Sequence, residues 1–228
     1  MSAVGHKDGL LGLSLVGSRQ KPLRVLCLGA HSDDIEIGCG ATLLKLAGRR
    51  PRPKFRWVVW SAAGQRESEA KRGAVEFLGR AAGDAVRVHA FRDGFFPAEF
   101  AEIKEAFESL AREFRPDIVF THARDDRHQD HRVVSDLTWN TFRNQLILEY
   151  EIPKWDGDLG QPNVYVPVSQ ATVRRKTRAL LSVFGTQRSK DWFSEETFLG
   201  MMRLRGMECR APDGHAEAFY ARKITLPL

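Results

Sequence analysis

The sequence predicts an α/β protein: a Rossmann-like three-layer α/β/α sandwich built on a mostly parallel sheet. Two observations predict it. Short apolar runs alternate with longer segments of helical periodicity through the first 144 residues. Strand, helix and strand at this spacing imply right-handed crossovers, and therefore parallel neighbours.

Each element has its own warrant. "LRVLCLGA" (23–30) reads as a buried strand, being apolar almost throughout. "GATLLKLAGR" (40–49) reads as a helix, with Leu43, Leu44, Leu46 and Ala47 at helical spacing. "FRWVVWSA" (55–62) is a second strand. "ESEAKRGAVEFLG" (67–79) is a helix whose stripe is Ala70, Ala74, Phe77 and Leu78, and Gly79 ends it. "AVRVHAF" (85–91) is a third strand. "AEFAEIKEAFESLAREF" (98–114) is an amphipathic helix that Pro116 bars from continuing. "DIVFT" (117–121) is a fourth strand, and a helix is expected over 130–144. Beyond Tyr150 the pattern loosens. "EIPKWDGDLGQPNVYVP" (151–167) reads as a long surface loop with a short strand. Such loops tend to be functional, so 150–170 is expected to wall a substrate site. "TVRRKTRALLSVF" (172–184) and "SEETFLGMMRLRG" (194–206) are helices, the latter with Ser194 as N-cap. "AEAFYARKITL" (216–226) closes as a strand. Residues 1–22 read as a mobile or loosely docked leader, and 23–228 as one domain.

Composition excludes several classes. Of 228 residues, 43% are apolar, enough for a sizeable core. No run approaches the ~20 apolar residues of a membrane span. The three cysteines, Cys27, Cys39 and Cys209, form no C-x-x-C, so neither a disulfide framework nor a cysteine zinc knuckle is supported. A reducing, cytoplasmic setting is expected. The net charge of +6 is spread among acids, with "VRRKTR" (173–178) the densest basic cluster, which describes a solvated surface and not a nucleic-acid face.

Chemistry concentrates where two strands end. "AHSDDIEIGCG" (30–40) follows the first strand; "THARDDRHQDHR" (121–132) follows the fourth and holds His122, His128 and His131 with Asp125, Asp126 and Asp130. Parallel sheets bind ligands beyond the carboxyl ends of their strands, so the topology brings both clusters to one rim. On a helical turn His31 and Asp34 would share a face, with Asp33 between them pointing elsewhere. One histidine of the second cluster would complete a His/Asp/His set, which suits zinc and leaves a position for water. Alone, a His-x-x-Asp is usually a surface hydrogen bond and a charged stretch a solvated loop. Two such groups on one rim point to a metal site.

Several residues carry weaker expectations. Glu36 is expected to stabilise a helix start. Cys39 is read as packing, His89 as a surface or satisfied core residue, and His215 as a residue near the rim. Phe95, Phe96, Trp155, Tyr165 and Trp192 are candidates for gripping a sugar, against the ordinary fate of large apolar side chains in the core. Asp93, in "RDGFF" after the third strand, is placed to contact hydroxyls.

"AHSDDIEIGCGATL" resembles the A-H-P-D-D motif of the LmbE/PIG-L deacetylases, and "HQDHR" resembles that family's H-P-D-H. "RESEAKRGAVEFLG" is similar to its R-x-x-E helix, and "HAEAFYAR" to its closing strand. The resemblance runs from about Leu23 to Asn144. Ser32 and Gln129 stand where the family has proline, which suggests altered loop stiffness without loss of metal; Ala41 stands where it often has a second glycine. The resemblance implies a zinc-dependent hydrolase that removes an acetyl group from an N-acetylated amino sugar or sugar conjugate. It implies His31, Asp34 and His131 as metal ligands, Asp33 as general base, and His128 as oxyanion partner and acid. Arg66 would hold substrate. Asp130 is a candidate for orienting an imidazole, and Asp125 or Asp126 could share that task. Zinc is the expected ion, with iron, manganese or cobalt as alternatives.

Two other readings stay open at this level. A metal phosphoesterase acting on a nucleotide also uses His and Asp at strand ends, but ligands for only one tight ion are visible. A nucleotide-binding module without chemistry would need the G-x-G-x-x-G fingerprint, which is missing after the first strand. The loop after Tyr150 offers a surface for a homo-oligomer.

Overall fold

The computed structural model describes residues 21–79 and 82–225. The leader expected over 1–22 falls almost wholly outside them. Seven strands form one sheet in the order β3-β2-β1-β4-β5-β7-β6. In chain order the elements are β1 (Arg24–Gly29), α1 (Asp34–Ala47), β2 (Lys54–Val59), α2 (Gln65–Leu78), β3 (Val86–Val88) and α3 (Phe100–Glu113). They continue with β4 (Ile118–His122), α4 (Gln129–Thr141), β5 (Leu146–Tyr150), β6 (Val164–Val168), α5 (Gln170–Val183), α6 (Glu195–Glu208) and β7 (His215–Tyr220).

The first five strands are parallel; β7 runs antiparallel between β5 and β6. The α/β expectation therefore holds, with one mixed edge. Alternation along the strands feeds two cores. Val25 and Cys27 of β1, Trp57 and Val59 of β2 and Phe120 of β4 pack beneath α1, α2 and α5. Leu26, Leu28, Val58 and Val119 point the other way, toward α3 and α4. Period-2 alternation with both faces apolar is what a sheet sandwiched between helices requires.

Some elements differ from expectation. α1 begins at Asp34, six residues earlier than its apolar stripe suggests. Its first turns are lined by buried polar and small residues, which carry no hydrophobic period. Gly38 lets α1 sit directly on β5: a Cβ there would lie 2.2 Å from the Tyr150 ring. β3 shrinks to three residues, after which a single bridge joins Ser61 and Ala90. β5 is hidden in the sequence behind the helix preceding it. Ser194 caps α6 as expected, accepting from the Thr197 N–H at 3.2 Å.

A buried ion pair ties α1 to the antiparallel edge. Lys176 of α5 meets Glu217 of β7 at 2.6 Å. Lys176 also donates to the Ile37 carbonyl at 2.5 Å, while Glu217 accepts from the backbone N–H groups of Ala41 and Thr42 at 2.8 and 2.6 Å. The pair is thus hydrogen-bonded on both sides, the condition under which buried charges are tolerated.

Candidate metal centre

The strand order reverses between β1 and β4, which lie side by side in the centre. The crevice outside their carboxyl ends is where a doubly wound sheet places its site. From β1 the chain turns through His31 and Ser32; Asp33 is the N-cap of α1 and Asp34 its first residue. From β4 the chain passes through Asp126 to His128, the N-cap of α4, and His131 lies in the first turn. His31 thus precedes α1 instead of sharing a helical turn with Asp34, yet the two still face one point.

Three donor groups converge there, Asp34 with both its oxygens. His31 Nδ1 lies 3.2 Å from His131 Nε2 and 3.4 Å from Asp34 Oδ2, and His131 Nε2 lies 3.6 Å from Asp34 Oδ1. Zinc holds such donors tetrahedrally at about 2.0–2.1 Å, which sets them about 3.3 Å apart. The observed separations match that edge.

The outer hydrogen bonds fix the imidazole tautomers. His31 Nε2 faces Asp130 Oδ2 at 3.2 Å and Asp93 Oδ1 at 3.1 Å. His131 Nδ1 faces Asp126 Oδ2 at 2.9 Å. With a proton held on each outer nitrogen, the two nitrogens facing each other are the ones that can present lone pairs to an ion. At 3.2 Å they hold a positive charge between them, a proton in the free protein and a metal ion where one is bound. The surroundings are built to hold one. Burial opposes a charge on His31, but Asp130, Asp34 and Asp93 outweigh it and hold the ring's pKa well above its usual value. Burial pushes His131 down to about 3, helped by His122.

Asp33 does not join this ring. It is 3% exposed, and burial together with the charge of Asp34 pushes its pKa up to about 6 against the opposing pull of Arg66, Lys190 and His31. His128 stacks on His131 at 4.6 Å, and its Nδ1 accepts from the Asp130 N–H at 3.3 Å. That leaves Nε2 as the protonated nitrogen of the neutral ring. Burial, then the charge of His31, holds its pKa below the ordinary value.

Asp130 is the clasp of the rim. Its carboxylate accepts from Gly94 N at 2.6 Å and Phe96 N at 3.1 Å as well as facing His31. Gly94 makes this turn with φ of +81°. Asp93, half-exposed, joins His31 to Arg66, whose guanidinium donates to it at 2.6 Å. The two positions departing from proline both add bonds: Ser32 Oγ accepts from Arg66 at 3.5 Å, and Gln129 donates to the Gly94 carbonyl at 3.1 Å.

Sequence reasoning left Asp125 and Asp126 undecided. Asp126 is 3% exposed and engages His131, the His128 N–H at 2.8 Å and Lys154 at 3.0 Å. The Asp125 side chain is 87% exposed and pairs with Arg222. His122 lies beneath the centre: its Nε2 accepts from Ala30 N at 2.9 Å and its ring stacks on His131 at 3.9 Å.

Other expectations need correction. Glu36 lies in the first turn of α1 as expected, but its carboxylate is fully buried against Gly73 of α2, and neither oxygen has a hydrogen-bond partner among the described residues. His215 bonds the Asp213 carbonyl at the start of β7. Phe96 is core, and Tyr165 packs beside Cys209, Ala211 and Ala216. The expectations for Cys39 and His89 hold: Cys39 is buried packing, and the half-buried His89 ring stacks on Trp60.

The fold and this rim define a doubly wound α/β protein with a candidate metal centre at its topological switch point. The family described as PIG-L, GlcNAc-PI de-N-acetylase, matches residues 26–142, and the chain belongs to this family of deacetylases. The chain is 29% identical over 184 residues to the uncharacterized deacetylase YaiS of Escherichia coli K12, which spans 76% of this chain and 97% of that protein. Its fold is similar to that of the conserved protein TT1542 from Thermus thermophilus, with a TM-score of 0.68 at 22% identity, covering 90% of this chain and 97% of the other. The N,N'-diacetylchitobiose deacetylase of Pyrococcus horikoshii, solved with an inhibitor, gives a TM-score of 0.63 at 19% identity, covering 87% and 83%.

Proposed function

We propose that the protein is a zinc-dependent N-deacetylase that removes an acetyl group from an N-acetylated amino sugar or sugar conjugate. The observation that carries this reading is the convergence of His31, Asp34 and His131 at separations of 3.2, 3.4 and 3.6 Å from two segments about a hundred residues apart. The family's own description and the substrate named for the Pyrococcus horikoshii relative support the sugar. Residues 23–228 would act as one domain, in the cytoplasm.

His31, Asp34 and His131 would hold the ion. When bound, zinc supplies Lewis-acid polarisation of the amide carbonyl and lowers the pKa of water to about 7. Asp33, poised near neutrality and outside the donor ring, takes the proton from the attacking water. His128, with Nδ1 occupied, offers Nε2–H as a hydrogen bond to the developing oxyanion, and Asp33 passes the proton it took from water to the departing amine. Arg66 and Asp93 bind sugar hydroxyls at the mouth. Asp130 and Asp126 keep the two imidazoles aimed. A phosphoesterase using two ions about 3.5–4 Å apart is disfavoured, because every further donor group here reuses His31 or His131.

The test is a panel of N-acetyl sugars, nucleotide sugars and glycoconjugates beside nitrophenyl phosphates, read by released acetate or phosphate, with metal content measured per chain. Acetate release with one zinc per chain is expected. Asp33→Asn should keep its zinc and lose at least about a hundredfold in turnover, the usual weight of an acid–base group. His131→Ala should lose both. Phosphate release without acetate, or equal zinc loss in the two variants, overturns the reading.

A further inference from the structure

Trp155 stands at the tip of the wall loop with 68% of its surface exposed. A single exposed indole is unremarkable. This one is held in place. Its Nε1–H donates to Asp191 at 3.0 Å, and its ring meets Trp192 edge to face, centroids 6.1 Å apart and planes at 90°. Trp192 packs on the core and carries the Lys190 ammonium 5.3 Å from its ring centre. An indole fixed at its edge keeps a broad face toward solvent without the entropy cost of ordering it on binding.

Its neighbours locate that face. Lys154, the preceding residue, is bonded to Asp126, which orients His131. Through Lys154, Trp155 stands next to the second segment of the candidate metal centre. Beside the aromatic face lie a carboxylate and a cation, Asp191 on the indole edge and Lys190 over Trp192. That is the composition that grips a sugar ring, whose C–H face stacks while its hydroxyls bond to charged groups.

We propose that Trp155, with Lys190 and Asp191, forms a subsite for a second pyranose ring, one linked to the N-acetylated sugar at the metal centre. The proposal rests on the deacetylase reading. It makes the substrate class an N-acetylated disaccharide or larger glycoside, and Trp155 a specificity residue.

Calorimetry on the zinc-loaded full chain tests it with glucosamine and chitobiose, the deacetylated mono- and disaccharide, which the enzyme cannot turn over. The disaccharide should bind about tenfold more tightly, the scale of one aromatic stacking contact. Trp155→Ala should abolish that preference, and Trp155→Phe, which keeps a ring, should retain most of it. In turnover, Trp155→Ala should raise KM for N,N'-diacetylchitobiose about tenfold and leave N-acetylglucosamine unchanged. A wild-type protein that binds the two sugars alike, or a Trp155→Ala protein that keeps the preference, overturns the subsite. Loss of the deacetylase reading would look different: no acetate from either N-acetylated sugar, while the wild-type preference for the disaccharide and its loss in Trp155→Ala are still measured.

Discussion

Asp126→Ala is expected to weaken zinc binding by ten- to a hundredfold, the range found when a carboxylate behind a metal-bound histidine is removed. The carboxylate makes three contacts: His131 Nδ1 at 2.9 Å, the His128 N–H at 2.8 Å and Lys154 at 3.0 Å. A hydrogen bond to a charged group is worth about 1.5–3 kcal/mol. Only the His131 bond fixes which nitrogen faces the ion, and its share corresponds to about 1.4–2.8 kcal/mol of affinity. Folding should survive, because Lys154 keeps Asp158 at 2.5 Å. Asp126→Asn, which retains an acceptor without the charge, should fall between. Asp125→Ala is the internal control: its 87% exposed side chain reaches only Arg222 at 3.3 Å, so affinity should stay within about twofold of wild type. Competition against a fluorescent chelator gives the dissociation constants, and a thermal melt checks the fold. Wild-type affinity in Asp126→Ala, or an equal loss in Asp125→Ala, would refute the argument from imidazole orientation.

Gly38→Ala places a Cβ 2.2 Å from the Tyr150 ring and should cost about 1–3 kcal/mol in urea unfolding; Gly200→Ala, with nothing within 4 Å, should be neutral or slightly stabilising. Lys176→Met strands Glu217 and should cost about 3–5 kcal/mol, most of it recovered by adding Glu217→Gln; no recovery in the double variant would argue against a charge effect. Burial raises the pKa of the Cys27, Cys39 and Cys209 thiols, so less thiolate forms at any given pH. The native protein should therefore react slowly with a disulfide reagent at pH 8, and unfolded protein should release three equivalents quickly.

The parts of the fold legible in the sequence are those whose hydrophobic pattern matches their period. β1, β2 and β4 are apolar runs, and α3 carries a regular stripe. The start of α1 is not legible, because Asp34, Glu36 and Gly38 are buried there for reasons other than hydrophobicity. β5 escapes detection because "LILEY" is short and begins only four residues after α4 ends. At the candidate metal centre, the residues at strand ends are visible as clusters. What sequence spacing does not supply is the choice among adjacent carboxylates. Asp125 and Asp126 are chemically identical, and only the turn after β4 sends one inward to His131 and the other to solvent. Nor does it foresee that Asp130 serves His31 from the opposite segment, since that pairing spans 99 positions.

The tether between the loop after β5 and the turn before α4 has a practical corollary for redesign. Lys154 grips Asp126 and Asp158 together, and Asp158 accepts from the Arg127 N–H at 2.7 Å. Anyone reshaping the entrance for a bulkier guest can exchange positions 155–157 as a cassette between two fixed posts. Moving Lys154 would be transmitted to the imidazole of His131 across two contacts and moving Asp158 across three, so a graft that widens the opening there also loosens the hinge pin.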